Sequence, residues 1–502
     1  MSVYVPFIGD ENSAVSFDKE LSENNIVTIQ PDSLRILHNP LTGWVLYASM
    51  GVDAADFWAQ YDHMYIPELG HNVSVTDYAH TLYIRASWTD FNPQEDVYGW
   101  KIDSNLRAYI EGAYQRNMRL AFRVVVDSRD KRTEFTPQFV KDAGAKGFMN
   151  KGKWSPYSDD PVFQKYYTKF VKALAKDFND PSKVEFIDGF GLGKWGEYHT
   201  MIYSTGDDTP KKAVFNWVTD IYSQAFDKVP VVINYHRWIG AGKDWVDDEH
   251  FAADSEEMLE EAIKKGYSLR HDAFGMTTYY GSWERRFAKK YRNICPIIME
   301  GGWIVKSHNY WQDPRGYRKD SHEDVRRGEF DDSKEAHVNM MDFRFGDTKS
   351  WFKDAFDLVR RFLREGGYRL YPSEISLPLE VSKKTTPTIK HCWNNLGWGY
   401  CPTNIPQWNQ KYKVAFALLD SETNEVRYTF VDTNTDLSKW IKGSPAEYVF
   451  EPDMSKVETG TYVWAVGLVD RSNKDLIGLD IAAKGDILDS GWLKLSKVSI
   501  KK

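Results

Sequence analysis

Residues 184–200 read VEFIDGFGLGKWGEYHT and join a short apolar run to a glycine-rich loop. The run at 184–193 predicts a buried β-strand, because it is short, rich in apolar residues and bounded by glycines. The glycines at 189, 191, 193 and 196 predict an irregular loop in which the backbone can approach a ligand. Glu197 then follows between two aromatic residues, which leaves two interpretations open: a functional carboxylate or an exposed loop glutamate.

The same rhythm repeats along most of the chain, from about residue 40 to residue 375. A short β-rich run is followed by a polar loop and then by a segment with helical periodicity, which is typical of βα units. The other candidate strands are 42–49, 81–88, 119–128, 229–236, 269–276, 295–302 and 368–376. Eight such strands predict an α/β fold, a (β/α)₈ TIM barrel. The clearest helix is SWFKDAFDLVRRFLREGG at 350–367, which we place before the eighth strand.

The rhythm changes after Pro378, where short alternating runs separated by Asn, Asp and Gly turns replace the helical segments. This pattern predicts an antiparallel β-sandwich. We therefore expect residues 1–376 to form the barrel with an N-terminal extension, and residues 377–502 to form the β-sandwich domain. Of the three cysteines, Cys392 and Cys401 could pair across a loop or remain free thiols.

Composition narrows the choice of partners. The net charge is −8, and the 64 Lys and Arg residues are scattered along 502 residues, so we expect no nucleic-acid partner. No apolar run reaches the roughly 18 residues that span a membrane, and no spacing of His, Cys and carboxylates predicts a metal or other cofactor. We expect a secreted or periplasmic protein whose signal is absent from this sequence, or else a cytoplasmic one.

Aromatic residues are abundant, with 19 Trp, 29 Tyr and 27 Phe. Trp and Tyr combine an apolar face with a hydrogen-bonding edge, which suits a sugar-binding cleft. The tryptophans that we expect to stack on sugars are Trp44, Trp88, Trp195, Trp238 and Trp303.

Functional groups of a filled barrel lie at the carboxyl ends of its strands and in the loops that follow. Reading those positions gives two catalytic candidates, Glu197 and Glu300. It also gives a set of substrate-binding candidates: Arg85, Trp88, Arg123, Trp195, His199, Asn234, His236, Trp238, Tyr280 and Trp303. Lone histidines such as His271 we interpret as structural.

Glu300 ends the run CPIIMEGGW, in which four apolar residues lead straight into a carboxylate. A charge at the end of a buried strand is costly unless it has a partner. One interpretation is a salt bridge that merely completes the barrel. The other, which we favour, is a nucleophile oriented by Arg85 and by Tyr279 or Tyr280.

Two carboxyl groups on opposite sides of a scissile bond are what glycoside hydrolysis needs, about 5–5.5 Å apart in retaining enzymes. A glutamate after strand 4 and another at the end of strand 7 lie across the mouth of a barrel from each other. Trp195 and Tyr198 flank Glu197 and would lower the local dielectric, which raises a carboxyl pKa toward that of a general acid.

The placement of Glu197 and Glu300 resembles that of the clan A glycoside hydrolases, whose acid/base follows strand 4 and whose nucleophile ends strand 7. The second strand and its loop, YIRASWTDFNPQEDVYGW, are similar to β-galactosidase-like members. The segments HNPLTGWVLY, GLGKWGEYH, EGGYRLYPSEISLP and GWLKL resemble a mostly uncharacterised bacterial family with a barrel and a C-terminal β-sandwich. The resemblance implies a retaining hydrolase acting on a poly- or oligosaccharide, with Arg85 and Tyr280 as partners of the nucleophile.

One position departs from the clan pattern. Clan members usually carry Asn directly before the acid/base, where it binds the sugar 2-hydroxyl, and this chain has Gly196. Asn234 or His236 could take over that contact. The departure also favours an alternative of another class, a glycan-binding barrel without catalysis.

Basic side chains are numerous near the predicted mouth: Arg85, Arg123, Arg129, His236 and Arg237. Guanidinium groups suit carboxylate or sulfate groups, which predicts an anionic sugar such as a uronic acid or a sulfated galactose. The alternative is that these groups pair with Asp127, Asp130 and Glu134. A further alternative is an inverting hydrolase with Asp127 or Asp272 as the base.

Overall fold

The computed structural model describes residues 24–48, 50–129, 131, 133–242, 249–276, 279–302 and 322–502. These residues form two compact units. One comprises Ser33–Arg369 with Leu396–Lys411, and the other comprises Leu370–Asn395 and Tyr412–Lys502 with the residues up to Asp32. In the described ranges, we find no helix whose length and apolar content would let it cross a membrane.

The first unit is a closed barrel of eight parallel strands, which confirms the predicted TIM-barrel fold. Each strand pairs with the next one along the chain, and the eighth pairs with the first. In chain order the barrel strands are Gly43–Tyr47, Ala79–Ser87, Arg119–Val125, Val184–Asp188, Val231–Asn234, Tyr267–Phe274, Ile297–Gly301 and Met340–Asp342.

The eighth strand is not the one that the sequence pattern predicts. The run at 368–376 falls largely in the strand Leu370–Pro378, which belongs to an antiparallel sheet of the other unit, whereas Met340–Asp342 closes the barrel. Three residues are too few to stand out by periodicity, and the longer apolar run at 370–378 takes their place in a pattern search. The segment 350–367 therefore follows the eighth strand instead of preceding it.

Helices surround the barrel because their apolar residues recur at three and four positions and cover the strands. The helix Pro161–Phe178 is an example: the Asp160 side chain accepts a hydrogen bond from the backbone N–H of Phe163, and Pro161 opens the first turn. The longer helices are Ser104–Gln115, Pro161–Phe178, Lys211–Ala225, Glu249–Lys264, Ser282–Tyr291, His322–Glu335 and Phe356–Glu365. The shorter ones are Ala54–Asp62, Trp88–Phe91, Gly99–Ile102, Gln138–Asp142 and Thr348–Asp354.

The second unit contains two sheets that are mostly antiparallel. One has the strands Asn24–Thr28, Leu370–Pro378, Ile389–Asn395 and Ala446–Phe450. The other has Glu380–Ser382, Leu493–Lys501, Gly460–Asp470, Tyr412–Asp420, Val426–Asp432 and Leu476–Leu479. Phe416 of the second sheet contacts His391 and Phe450 of the first, with ring centroids 5.2 and 6.0 Å apart.

Candidate active site

A cluster of charged side chains fills the carboxyl end of the barrel. Strand register puts its members on one face: Arg85 pairs with Arg123, Arg123 with Asp188, and Glu300 with Asp342. Register partners in parallel strands point to the same side of the sheet, so these side chains converge on the barrel interior. A cluster of this kind is costly to bury unless its charges are paired with one another.

Two arginines hold the cluster together. Arg270 donates hydrogen bonds to Glu300 at 2.5 Å, to Asp342 at 3.1 Å and to Asp272 at 3.0 Å. Arg123 donates to Asp188 at 2.6 Å and also to Asp272. Sequence reasoning missed Arg270, Asp188 and Asp342. The alternation of Arg270 and Asp272 in LRHDAFGM was the available signal, because it puts both charges on the inner face of the strand.

Glu300 lies at the centre of this cluster and is 4% exposed. Burial raises its pKa to about 8, and the neighbouring Asp272 adds to the shift, while Arg270 opposes it. Burial likewise raises the pKa of Asp342 to about 6, against the influence of Arg270. Asp272 behaves in the opposite way: burial would raise its pKa, but Arg123 and Arg270 outweigh burial and hold it well below the usual range.

The loop Gly191–Thr200, which carries Glu197, has a strained backbone. Trp195, Tyr198 and Thr200 have φ values of 60°, 61° and 48°, a region that residues other than glycine rarely adopt. Such residues cost about 1–3 kcal/mol each and persist only when the surroundings hold them.

Gly196 belongs to the same strained turn, with φ of 74°. A Cβ atom there would lie 3.3 Å from Val125 and 3.4 Å from Arg123. An asparagine at position 196 would therefore have neither a relaxed backbone nor free space.

Two side chains hold the loop on either side of Glu197. Arg85 donates to the backbone carbonyl of Trp195 at 2.6 Å and to the Tyr47 hydroxyl at 3.2 Å. The Nε2–H of His236 donates to the backbone carbonyl of Glu197 at 2.7 Å, and its Nδ1 accepts from the backbone N–H of Trp238 at 3.1 Å. These bonds fix the tautomer of His236 and the position of the Glu197 backbone.

Arg85 also connects the two predicted carboxyl groups. Its guanidinium lies 3.9 Å from the Glu197 carboxylate, and it interacts electrostatically with Glu300 as well. Arg123 lies 3.8 Å from the same Glu197 carboxylate. Glu197 and Glu300 therefore both interact with the Arg85 guanidinium.

His199 extends the surroundings of Glu197. Its Nε2 lies 3.3 Å from the Glu197 carboxylate, and its Nδ1 lies 3.0 Å from the Thr200 hydroxyl. An ionised carboxylate only accepts hydrogen bonds, so His199 donates through Nε2 when Glu197 is ionised. Trp195 is half-buried, with the Lys194 ammonium 4.4 Å from its ring centroid and its edge toward His199. Tyr198 is instead buried against Phe190 and Phe215.

A small cleft opens beside Glu197, with enclosed space for about one water molecule. Its lining comprises Glu197, His199, Asn234, His236, Trp238, His271, Asp272, Ala273 and Tyr279. Trp238 is buried there, and the Arg237 guanidinium lies 3.9 Å from its ring centroid.

Three predicted sugar contacts are wrong. Trp88 is fully buried among Phe139, Phe163, Tyr167 and Phe170, so it presents no face to a ligand. The position after a strand does not reveal on which side of the barrel wall a side chain lies, and Trp88 turns outward beneath the helices.

The predicted sugar contact of Trp44 is wrong for the same reason. Trp44 is fully buried and stacks on Phe343, with ring centroids 4.3 Å apart. Tyr280 bonds to the Tyr235 hydroxyl at 3.3 Å and stacks on Phe274, away from Glu300. Its neighbour Tyr279 lines the cleft, and Tyr47 is the tyrosine that interacts electrostatically with Glu300. Trp303 and Asp130 lie outside the described residues.

The basic groups of the predicted mouth are mostly paired. Arg129 bonds to Asp127 through its side chain and its backbone N–H, and Arg237 bonds to both oxygens of Glu284 at 3.0 Å. Arg123 is buried in the barrel interior and paired with aspartates, so its side chain is not exposed to a ligand. Within the described part of the chain, no group of three or more His, Cys, Asp and Glu side chains could hold a metal ion.

Neither a protein-family model nor a curated protein matches this sequence. Among solved structures, the chain is similar to a GH30 endoxylanase from Clostridium papyrosolvens C71 (9% identity, TM-score 0.39, 86% of this chain and 97% of that one). It is also similar to an endo-β-1,4-mannanase from Thermotoga petrophila (12% identity, TM-score 0.39, 93% and 99%). A third is endo-glycoceramidase II from Rhodococcus sp. in a cellobiose-like isofagomine complex (13% identity, TM-score 0.40, 85% and 99%). At these TM-scores the fold assignment rests on the strand order of the chain itself.

Proposed function

We propose that the protein is a retaining glycoside hydrolase in which Glu300 is the nucleophile and Glu197 is the acid/base. The observation that carries the proposal is the shared guanidinium of Arg85, which interacts with both carboxyl groups at the carboxyl end of the barrel. Functional groups of this fold come from the ends of different strands, and Glu197 and Glu300 come from the fourth and seventh.

In the first step, an oxygen of the ionised Glu300 carboxylate attacks the anomeric carbon. The bond from that carbon to the glycosidic oxygen breaks, and the departing oxygen takes the proton of Glu197. Glu300 is then esterified to the sugar, and Glu197 is ionised beside Arg85, Arg123 and His199.

In the second step, Glu197 takes a proton from a water molecule whose oxygen attacks the anomeric carbon. The ester bond to Glu300 breaks, and its electron pair returns to the carboxylate, where Arg270 stabilises the charge. Arg85 lies near both carboxyl groups and favours whichever of them is ionised at each stage, so we assign it a positioning and electrostatic role.

The charges of the described residues favour a neutral sugar. Arg123, Arg129 and Arg237 each bond to an acidic partner, and the barrel mouth also holds Asp272 and Glu197. An anionic sugar would have to compete with these carboxylates for the same guanidinium groups. The anionic substrate expected from the sequence thus stays a prediction, and uronic acid and sulfated galactose glycosides belong in the substrate panel for that reason.

An inverting reaction is a second candidate, because Asp272 lines the cleft, where its ionised carboxylate would face water as a base. Arg123 and Arg270 hold its pKa well below the usual range, which weakens it as a base. Asp127 is a weaker candidate for that base, because Arg129 and the Ser155 hydroxyl already occupy its oxygens.

The test is hydrolysis of a panel of neutral and anionic aryl glycosides and oligosaccharides by the wild type, Glu197→Gln, Glu300→Gln and Asp272→Asn. Glu422→Gln, an exposed position of the same residue type, is the matched control. We expect turnover by the wild type and the control, and loss of at least about 100-fold in both Glu197→Gln and Glu300→Gln. Binding of glycans without any turnover would contradict an enzymatic role and favour a glycan-binding barrel. A rate unchanged in Glu300→Gln would remove the nucleophile.

A further inference from the structure

Asn234 ends the fifth barrel strand with a carboxamide that has spare hydrogen-bonding capacity. The residue pairs in register with Arg270, so both side chains point into the barrel. Asn234 is 3% exposed and lines the cleft beside Glu197. Within the described ranges its Oδ1 is buried and accepts no hydrogen bond. A buried acceptor without a partner is disfavoured, so its presence at a ligand cleft points to a bond that a ligand completes.

The two histidines closest to Glu197 are already engaged. Both ring nitrogens of His236 make hydrogen bonds within the loop, and both nitrogens of His199 lie within bonding distance of Glu197 and Thr200. His271 leaves its Nε2 unpaired, but its ring lies among those of Tyr235, Phe274 and Tyr280. Of the two residues considered for the sugar hydroxyl, the structure thus favours Asn234 over His236.

Asn234 is also tied to Glu197 through the backbone. His236 lies two residues beyond Asn234 and donates a hydrogen bond to the backbone carbonyl of Glu197. His236 follows the fifth barrel strand and Glu197 follows the neighbouring fourth strand. An acid/base carboxyl must reach the oxygen on the anomeric carbon, so a polar group close beside it reaches the adjacent carbon of the same ring. Gly196, directly before Glu197, has no side chain with which to make that contact.

We infer that the Asn234 carboxamide binds the sugar hydroxyl on the carbon next to the anomeric carbon, and so determines which sugars are accepted. The inference rests on the proposed function. The hydroxyl donates its proton to Oδ1, and the amide N–H can donate to the hydroxyl oxygen. Hydrogen bonds at this hydroxyl strengthen as the ring approaches the oxocarbenium-like transition state. Loss of the Asn234 contact should therefore lower kcat, and with it kcat/KM, more than it changes KM.

The experiment compares each aryl glycoside that the wild type hydrolyses with its 2-deoxy counterpart, in the wild type and in Asn234→Ala. The readout is the ratio of kcat/KM for the parent to kcat/KM for the deoxy sugar. We expect this ratio to fall at least about tenfold in Asn234→Ala, through loss on the parent alone, because one hydrogen bond to a buried group is at stake. Equal loss on both substrates would show a merely structural role and overturn the inference.

Two further variants sharpen the comparison. Asn234→Asp keeps the acceptor oxygen, so it should retain most of the discrimination even if its added charge slows turnover. Asn404→Ala removes an exposed asparagine and should leave the ratio as in the wild type.

Calorimetry with methyl glycosides and their 2-deoxy counterparts separates this inference from the proposed function. If no substrate is hydrolysed, the proposed function fails, whereas preferential binding of the parent sugar by the wild type but not by Asn234→Ala still supports the hydroxyl contact. In that same case, where no substrate is hydrolysed, equal binding of both sugars by the wild type overturns it.

Discussion

At the scale of single residues, Glu300 shows how function and stability oppose each other. Its carboxyl group is buried in the barrel, and burial raises its pKa to about 8 although Arg270 is in contact with it. The proposed nucleophile must ionise before it attacks, and burial opposes that ionisation. Replacing Glu300 with Gln should therefore cost activity, and should gain stability relative to the wild type as pH rises toward the pKa of Glu300.

Glu300→Gln tests this opposition. Between pH 6 and pH 8 native Glu300 retains a proton that the unfolded chain has lost, so the wild type loses stability as pH rises, whereas Gln does not titrate. We expect the stability of the variant relative to the wild type to increase by about 2 kcal/mol over that range, measured by urea unfolding at both pH values. A difference that does not change with pH would contradict the raised pKa.

Gly196 gives a second prediction at this scale. Gly196→Asn places an asparagine directly before Glu197, but its Cβ would press on Val125 and Arg123 at a φ of 74°. We expect the variant to be destabilised by about 1–3 kcal/mol and to lose activity.

Gly206→Asn is the matched control, because Gly206 has φ of 78° and no atom within 4 Å of an added Cβ. Thermal unfolding of both variants separates crowding from backbone strain. Equal effects of the two substitutions would mean that crowding at Gly196 has no role.

At the scale of elements, the helix His322–Glu335 supports the end of the seventh strand. Glu329 on this helix is fully buried, bonds to Arg326 at 2.6 Å, and occupies the space that side chains at Gly275 and Gly301 would need. A Cβ on Gly301 would lie 2.3 Å from Oε1 of Glu329. Because Gly301 directly follows Glu300, this packing fixes the backbone that carries the proposed nucleophile.

Gly301→Ala should therefore destabilise the protein by about 2 kcal/mol and reduce activity. Glu329→Ala removes the atoms that meet the new methyl group, so Gly301→Ala should cost at least about 1 kcal/mol less in the Glu329→Ala background than in the wild type. A double-mutant cycle of unfolding free energies measures the coupling. Strictly additive changes in unfolding free energy would show that contact with Glu329 is not the reason for a glycine at position 301.

Elements also show what the sequence could and could not predict. The first seven barrel strands are apolar runs of ordinary pattern, which periodicity detects, and Glu197 and Glu300 were found by reading strand ends. The eighth strand, Met340–Asp342, has only three residues and escaped detection. The sequence reasoning missed Arg270 and assigned Trp88 to the wrong side of the barrel. The direction of a side chain depends on register and on local bends, which the sequence does not display.

At the scale of the whole molecule, buried titratable groups set the pH dependence of stability. Burial raises the pKa of Glu300 to about 8 and that of Glu329 to about 7. The stability that each protonated group gives to the folded protein is therefore lost as pH rises through these values. Burial lowers the pKa of His80, His271 and His391, so these histidines disfavour the fold only below about pH 6.5.

We therefore expect the free energy of unfolding to fall by about 2 kcal/mol from pH 6.5 to pH 8, where the histidines no longer contribute. Thermal unfolding across this range measures it, and Glu329→Gln should reduce the slope. Stability that rises toward pH 8 would contradict the environment described for these carboxyl groups.

Covalent trapping tests whether Glu300 attacks a sugar. Intact-protein and peptide mass spectrometry after incubation with a panel of activated 2-deoxy-2-fluoro glycosides would detect a glycosyl ester. We expect one added sugar per chain, located on the peptide that contains Glu300, and no adduct in Glu300→Gln. An adduct on Asp272, or no adduct with any sugar that the protein hydrolyses, would contradict that expectation.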